Sequence, residues 1–357
     1  MIATKTATKT ETGRFFEDFS PGEMLHHATP RTVTSGDVAL ALALTGSRHA
    51  LYSASTFAKA CGLAHPPVDP LLVFHIVFGK SVPDISLNAV ANLGYAEGRF
   101  LAPVQVGDTL SAASEVLGVK ETSNGKTGIV YVRTTGRNQW GQTILSYVRW
   151  VLVRKRDAAN PAPPDSAPRP RAFVPGADLV LPEGLDFTAY DFAAAGGAHA
   201  FEDYHIGERI DHVDGMVVEE AEAQMATRLY QNTAKVHFNQ FERMKDPSGR
   251  RLVYGGVVIS TARALSFNGL ENAGLLLGIN AGRHVNPYFA GATLFAWSEV
   301  LDTYRFPDRD DVGALRLRLV ATKDAPCASF PDKSASGDYP ADVVLDFDYW
   351  VGVPRRG

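Results

Sequence analysis

The residues best suited to chemistry in this sequence are Asn232 and His237, which stand five positions apart. A histidine can take up or release a proton near neutral pH, whereas an asparagine amide does not ionise and can only hold a water or hydroxyl group by hydrogen bonds. On a regular helix, five residues rotate the chain by about 140°, so the two side chains converge only if the helix is interrupted. The spacing therefore predicts a proton-transfer site on a broken helix.

A glycine turn offers a complementary group. Tyr254, Gly255 and Gly256 precede an apolar segment, 257–270, whose pattern predicts a helix enclosed by other structure. The first turn of a helix presents unpaired backbone N–H groups that stabilise a negatively charged oxygen, and glycine lets a ligand approach the backbone closely. Ordinary turn chemistry is the alternative interpretation of the glycines. We expect Gly255 to donate its N–H to a reacting oxygen, with Tyr254 and Gly256 beside it.

Both groups lie in the second half of an internal repeat. The segment 16–23 (FEDFSPGE) recurs as 201–208 (FEDYHIGE) at an offset of 185 residues, and 103–117 matches 287–301 at an offset of 184. At the offset of 185, three residues of the second half align with first-half residues that lack their functional groups. Asn232 aligns with Ser47, His237 with Tyr52, and Gly255 with Pro70. Proline has no N–H to donate. The repeat predicts one catalytic site, with the first copy, including Tyr52, as a substrate-binding wall.

The elements that must position these residues follow the same repeat. Each copy has a polar helical stretch, then an apolar helix, and then alternating segments typical of antiparallel strands. The apolar helices are predicted at 71–82 and 257–270. Six prolines between 161 and 175 indicate an extended linker, and 185–200 is expected to run along the surface. The predicted fold class is α+β, with two copies at 1–156 and 201–357 joined by a linker at 157–200, each copy a curved antiparallel sheet around a central apolar helix.

Composition narrows the class of partner. The net charge is only −4 and the basic residues are dispersed, so no surface typical of nucleic-acid or membrane binding is expected. Two cysteines cannot form a disulfide framework in 357 residues, and neither has metal-ligand spacing. No apolar run is long enough to span a membrane, and residues 1–13 lack the apolar core of a signal peptide. We expect a cytoplasmic protein whose partner is a small molecule or another protein and which binds no metal.

The order of elements resembles the hotdog fold, and the two copies in tandem resemble the double-hotdog members of the MaoC-like, (R)-specific enoyl-CoA hydratase family. That family carries the motif Gly-Asp-x-Asn-Pro-aliphatic-His. The string 231–237 (QNTAKVH) keeps the histidine as His237 and replaces the aspartate by Asn232, while 46–52 (GSRHALY) keeps only the glycine. The resemblance implies a hydro-lyase that adds water to an acyl-CoA thioester. It implies that His237 and Asn232 handle the water, that Gly255 binds the thioester oxygen, and that no cofactor beyond the CoA of the substrate is needed.

The strings 231–239 and 254–260 are similar to those of the branch of this family that hydrates mesaconyl-CoA (2-methylfumaryl-CoA) to erythro-β-methylmalyl-CoA in dicarboxylic acyl-CoA metabolism, including the ethylmalonyl-CoA pathway. Such a substrate carries a free carboxylate, which predicts a cation in the pocket because an unpaired buried charge is costly. The candidate cations are Lys235 first, followed by Arg228, Arg263 and Arg283. A carboxylate that could assist His237 is sought among Glu219, Glu220 and Glu242.

Three other functions remain open from the sequence. The first is a hydratase for another branched or dicarboxylic enoyl-CoA. The second is an acyl-CoA thioesterase, which would use a carboxylate to activate water at the carbonyl. The third is a non-catalytic acyl-CoA-binding hotdog protein, in which Asn232 marks the loss of the second site as well. Beyond the pairing of the two copies, we expect the chain to form a homodimer.

Overall fold

The computed structural model describes residues 9, 10 and 12–356, so the beginning of the predicted first domain, 1–8, and residue 11 lie outside the described residues. The first copy forms four helices and six strands. In chain order they are β1 (Met24–His26), β2 (Arg31–Thr32), α1 (Ser35–Thr45), α2 (Ala50–Ser53), α3 (Ser55–Ala60), α4 (Pro70–Ile85), β3 (Ala89–Phe100), β4 (Thr109–Glu121), β5 (Thr127–Arg137) and β6 (Thr143–Arg154).

The second copy repeats this order after a linker that contains one short helix, α5 (Phe192–Ala195). Its elements are β7 (Arg209–Asp211), β8 (Met216–Val217), α6 (Glu220–Leu229), α7 (Gln240–Arg243), α8 (Gly255–Leu265), β9 (Leu275–His284), β10 (Thr293–Arg305), β11 (Val312–Lys323) and β12 (Val343–Pro354). The apolar helices α4 and α8 are buried along most of their length, because nearly every side chain on them is apolar or small.

The helix boundaries differ from the expected ones. The first apolar helix begins one residue earlier and runs three residues further, to Ile85, whereas the second ends at Leu265 and not at residue 270. Ser266 donates its hydroxyl to the carbonyl of Arg263 at 2.7 Å, and Gly269 adopts a positive φ of 96°. Such side-chain and glycine turns terminate a helix because they replace its regular hydrogen bonds.

The two copies share one twelve-stranded antiparallel sheet. Its strand order is β1-β4-β5-β6-β3-β9-β12-β11-β10-β7, with β2 beside β4 and β8 beside β10. The copies join where β3 pairs with β9, and there Ala96 lies opposite Ala281, its equivalent at the offset of 185. A pseudo-two-fold axis therefore passes between these two residues. Each half-sheet curves around its own apolar helix, as the predicted tandem hotdog fold requires.

A second contact lies on the same axis. The imidazole Nε2 of His75 in α4 is 2.9 Å from the hydroxyl of Ser260 in α8, and these residues are also repeat equivalents. Both side chains are buried. The hydrogen bond links the two central helices at equivalent positions.

The linker packs more closely than its composition suggested. The expectation of a surface path for 185–200 is wrong for Leu185 and Phe187, which are both 4% exposed and pack beside Phe57 in a secondary core. The indole of Trp350 also donates a hydrogen bond to the carbonyl of Val174 at 2.9 Å. The linker is thereby held against both copies. The boundaries at 156 and 200 stay a sequence-based division.

Within residues 9, 10 and 12–356, no helix combines the length and the apolar composition that crossing a membrane would require.

Candidate active site

The interruption expected between Asn232 and His237 is present. Helix α6 ends at Leu229, Gln231 adopts a positive φ of 52°, and Lys235–His237 form a separate turn of 3-10 helix. The side-chain oxygen of Asn232 accepts a hydrogen bond from the backbone N–H of Ala234 at 2.9 Å. This bond fixes the orientation of the amide. Its Nδ2 is buried and has no hydrogen-bond partner among the described residues, so it remains a donor for a ligand.

The hydrogen bonds of His237 define its tautomer. Its Nδ1 lies 3.0 Å from the carbonyl of Leu252, and since a carbonyl can only accept, Nδ1 carries the proton. The backbone N–H of Leu252 in turn donates to the carbonyl of Val236 at 3.2 Å. Nε2 therefore keeps a lone pair. Burial lowers the pKa of His237 to about 4, so the imidazole is neutral at physiological pH and can act as a base.

The N-terminus of α8 is open. Tyr254 occupies the N-cap position, and no side chain in the described part of the chain caps the helix there. The first backbone N–H groups, at Gly255 and Gly256, have no partner within a helix that begins at this point. A Cβ on Gly255 would lie 2.3 Å from Nε2 of His284. Only glycine lets the imidazole of His284 pack this closely against the turn, so the sequence of the turn places a second imidazole at the helix end.

The corresponding helix end in the first copy is closed. The carboxylate of Asp69 accepts a hydrogen bond from the N–H of Leu71 at 2.8 Å, and Pro70 occupies the first helical position. The chain therefore supplies its own acceptor at this end and removes one donor. Of the two apolar helices, α8 is the one whose N-terminus can receive an external oxygen.

Asn232, His237, Tyr254 and Gly255 line one cavity of about 300 Å³. Its walls come from both copies. Besides those residues, the polar and aromatic lining includes His284 of the second copy and Phe78, Ser86, Asn92, Tyr95 and Arg149 of the first. Within the described residues, no Asp or Glu lines this cavity. A donor-rich pocket with neutral imidazoles suits water addition better than carboxylate-based chemistry.

Tyr254 packs against the catalytic candidate. Its ring is 5.4 Å from that of His237 in an edge-on arrangement, and burial raises its pKa well above the ordinary value. The hydroxyl is buried without a partner among the residues that the structure describes. Tyr254 is therefore a neutral group at the cavity wall, and its hydroxyl is a potential donor to a ligand.

His284 is a functional candidate that the sequence analysis missed. It ends β9 and lies against Gly255, and burial lowers its pKa to about 4, with the nearby His237 as a further cause. Its Nε2 has no partner in the described part of the molecule. At the offset of 184 its equivalent is Phe100. This difference between the copies was a signal that could have identified it.

Other candidates lie elsewhere. Tyr52 and Arg263 line a second cavity with Ser47 and Asp69, and the hydroxyl of Tyr52 donates to the carbonyl of Gly274 at 3.2 Å. Gly256 is buried beneath the catalytic turn, where a Cβ would lie 2.6 Å from the ring of His75. The remaining candidates are exposed residues outside the cavity lining: Lys235, Arg228, Arg283, Glu219, Glu220 and Glu242.

The linker fills the space in the first copy that corresponds to the catalytic cavity. Residues 67–73 and 100–104 form this counterpart, and they are the repeat equivalents of 252–258 and 284–288. Val180, Leu181 and Pro182 of the linker also line this space, whose volume is about 40 Å³. The first copy thus lacks both the functional groups and the room for an acyl chain.

Comparison with known proteins gives a consistent result. A family model described as mesaconyl-CoA hydratase matches residues 2–332. The β-methylmalyl-CoA dehydratase of Chloroflexus aurantiacus is 57% identical over 351 residues, which are 98% of this chain and 100% of that relative. The mesaconyl-CoA hydratase of Cereibacter sphaeroides is 60% identical over 347 residues, which are 97% and 100% of the two chains.

Solved structures share the architecture. A MaoC domain protein of Chloroflexus aurantiacus has a TM-score of 0.96 at 57% identity and covers 98% of this chain and 100% of its own. A double-hotdog protein of Mycobacterium tuberculosis has a TM-score of 0.73 at 27% identity, with 96% and 99% covered. The predicted fold and family are confirmed. The chain belongs to the mesaconyl-CoA hydratase family, a group of hydro-lyases among the MaoC-like double-hotdog proteins.

Proposed function

We propose that the protein catalyses the reversible hydration of mesaconyl-CoA to erythro-β-methylmalyl-CoA. The observation that carries the proposal is the meeting of Asn232, His237 and the open N-terminus of α8 in one cavity. The two relatives whose names state this activity support the choice of an acyl-CoA thioester as substrate. In this reaction the hydroxyl group adds to the β-carbon of the enoyl thioester and a proton adds to the α-carbon.

The first role belongs to α8. The thioester oxygen accepts a hydrogen bond from the N–H of Gly255, at the positive end of the helix dipole. As water attacks the β-carbon, the electron pair of the double bond moves toward the α-carbon and the thioester oxygen gains negative charge. A donor that is already in place stabilises this charge without reorganisation.

The second role belongs to the imidazole and the amide. His237 takes a proton from water at Nε2 while the water oxygen bonds to the β-carbon, and the Nδ2 of Asn232 donates a hydrogen bond to that oxygen. The imidazolium then releases the proton to the α-carbon. His284 lies against Gly255, beside the place where the α-carbon must sit, and is a second imidazole that can carry this proton. These steps transfer protons and form one C–O bond, so they require no metal or redox cofactor.

Replacement of His237 by Ala tests the proposal. We expect mesaconyl-CoA hydration to fall by at least about 100-fold, because general acid–base catalysis contributes factors of this size. The assay follows the loss of the conjugated enoyl-thioester absorbance. His65→Ala is the matched control, since His65 is an exposed histidine outside the cavity. Unchanged turnover in folded His237→Ala protein would contradict the mechanism.

The same assay separates the rival functions. Faster turnover of mesaconyl-CoA than of crotonyl-CoA supports a dicarboxylic substrate, whereas the opposite order supports a general enoyl-CoA hydratase. Release of free CoA thiol identifies a thioesterase, a function that the absence of carboxylates from the described cavity lining disfavours. Binding of mesaconyl-CoA without turnover of either compound identifies a binding protein.

A further inference from the structure

The catalytic cavity is lined by a buried arginine of the first copy. Arg149 lies in β6 and is 0% exposed, and its guanidinium stacks on the ring of Phe78 at 4.3 Å. Its Nη1 donates to the hydroxyl of Ser86 at 3.0 Å and its Nη2 to that of Ser81 at 2.9 Å. Among the residues described, no Asp or Glu forms an ion pair with this guanidinium, and its titratable neighbours are Tyr95, Tyr147 and Tyr254.

A buried cation without a carboxylate is costly, and proteins usually pair it. The two serine hydroxyls use only two of the five guanidinium N–H groups, and Nε is buried without a partner in the described part of the protein. An arginine also remains charged at any physiological pH. Arg149 therefore lacks an anion, and the adjoining cavity is where a ligand could supply one.

The polar groups around Arg149 fit the same conclusion. Of the thirteen buried side-chain N and O atoms without partners in the described residues, six belong to residues that line this cavity: both amide atoms of Asn92, Nε of Arg149, Nδ2 of Asn232, the hydroxyl of Tyr254 and Nε2 of His284. Buried polar groups are normally satisfied, so this concentration indicates a missing polar ligand. Most of these atoms can donate, which suits a ligand rich in acceptors.

The second copy contains a comparison group. Phe78 and Arg149 correspond to Arg263 and Tyr349 at offsets of 185 and 200, so the arginine and the aromatic residue have exchanged places. Arg263 stacks on Tyr349 at 5.2 Å. Unlike Arg149, it donates to two backbone carbonyls, those of Ala273 and Gly274, each at 3.2 Å. The local backbone thus compensates Arg263, whereas Arg149 has only hydroxyl groups.

We propose that Arg149 binds the free carboxylate of a dicarboxylic enoyl-CoA, so that the first copy selects the acyl group on which the second copy acts. This inference rests on the proposed function. In mesaconyl-CoA the carboxylate lies trans to the thioester across the double bond, and therefore points away from a carbonyl held at Gly255. Arg149 enters the cavity from the other copy and offers the planar donor pattern that matches a carboxylate.

The test compares two substrates that differ only in the charged group. Tiglyl-CoA has the carbon skeleton of mesaconyl-CoA with a methyl group in place of the carboxylate. For Arg149→Gln we expect kcat/KM for mesaconyl-CoA to fall by about 100-fold, the size of a lost charged hydrogen bond, with little change for tiglyl-CoA. Arg149→Lys keeps the charge but loses the planar donor pattern. We expect its kcat/KM to fall by about tenfold for mesaconyl-CoA and to stay the same for tiglyl-CoA. Arg133→Gln is the control, since Arg133 lies on the neighbouring strand and pairs with Glu97 at 2.7 Å.

The outcomes are distinguishable. If the unmodified protein does not hydrate mesaconyl-CoA, the proposed function fails. If it does, and the ratio of the two kcat/KM values is unchanged in folded Arg149→Gln protein, the function stands and the role of Arg149 is overturned. Thermal unfolding reports whether each variant is folded. If Arg149→Gln does not fold, the Arg149→Lys variant provides the test. A lower ratio of kcat/KM for mesaconyl-CoA to that for tiglyl-CoA supports carboxylate binding by Arg149, and an unchanged ratio overturns the proposal.

Discussion

His237 is set up as a base by its surroundings. The carbonyl of Leu252 holds the proton on Nδ1, and burial keeps the ring uncharged. A nearby carboxylate would instead favour the charged ring. Asn232, which stands where the wider family has aspartate, adds no such charge. The substitution therefore leaves a neutral imidazole, which suits the proposed substrate because mesaconyl-CoA carries its own carboxylate.

This arrangement predicts the pH dependence of the reaction. Since the pKa of His237 is lowered to about 4, the neutral base is present throughout the range above that value. We expect kcat/KM for mesaconyl-CoA to stay level from about pH 8 to pH 5.5 and to decline only as the pH approaches 4. The measurement is a pH–rate profile with brief exposure to each buffer. A decline centred near pH 6.5, the ordinary value for histidine, would show that the surroundings do not lower the pKa of His237.

At the residue scale, the sequence identified part of the site. Asn232, His237 and Gly255 could be found because the first copy lacks their functional groups at equivalent positions. His284 opposite Phe100 and Arg149 opposite Tyr349 are differences of the same kind. Arg149 could not be placed in the cavity from the sequence, however, because its position depends on contacts with Phe78 and Ser81 of α4 and on the meeting of both copies around one cavity.

At the scale of elements, the two apolar helices differ most at their first residues. Asp69 and Pro70 close α4, whereas Tyr254 and Gly255 leave α8 open. Hydrophobic pattern predicted both helices correctly, since burial on all sides requires apolar side chains. Pattern alone could not predict the earlier end of α8, which depends on the hydrogen bond of the Ser266 hydroxyl and on the turn at Gly269.

Gly255→Ala tests the open helix end. The new Cβ would lie 2.3 Å from Nε2 of His284, so either this imidazole or the turn that carries the Gly255 N–H must move. We expect kcat/KM to fall by at least about tenfold, since displaced oxyanion contacts cost factors of this order or more. Gly36→Ala is the control in helix α1, where the nearest atom to the new Cβ is 3.6 Å away. Equal activity of both variants would exclude a reacting oxygen at Gly255.

For the whole molecule, histidine burial predicts sensitivity to acid. His49, His75 and His212 are each less than a tenth exposed, and burial lowers the pKa of the first two to about 3 and of the third to about 4. Their unfolded forms bind protons below about pH 6.5. Between that value and about pH 4 the unfolded state therefore holds more protons, and the free energy of unfolding decreases as the pH falls.

The expected size of this effect can be measured. Each of the three residues contributes up to about 1.4 kcal/mol per pH unit within this range. Urea unfolding followed by circular dichroism at pH 7.5, 6.5, 5.5 and 4.5 gives the slope directly. We expect little change between the first two values and a progressive loss below them. A constant free energy of unfolding down to pH 4.5 would contradict the burial of these rings.

The whole-molecule architecture was also the most predictable from sequence, because a repeat of 185 residues dictates two similar domains. The path of the linker could not be predicted from the sequence, because Leu185 and Phe187 pack in a cluster that contains residues of both copies. The homodimer and the cytoplasmic location stay predictions. Light scattering of the purified protein tests the first of them.

The pseudo-two-fold axis between Ala96 and Ala281 has an evolutionary consequence. In a dimer of identical chains, any mutation appears in both active sites at once. Fusion of two copies into one chain removes that constraint, so an arginine can face one site while an aromatic residue occupies the equivalent place in the other. Selection can then adjust charge and access at a single site, and a chain reduced to either half would lose residues that this site needs.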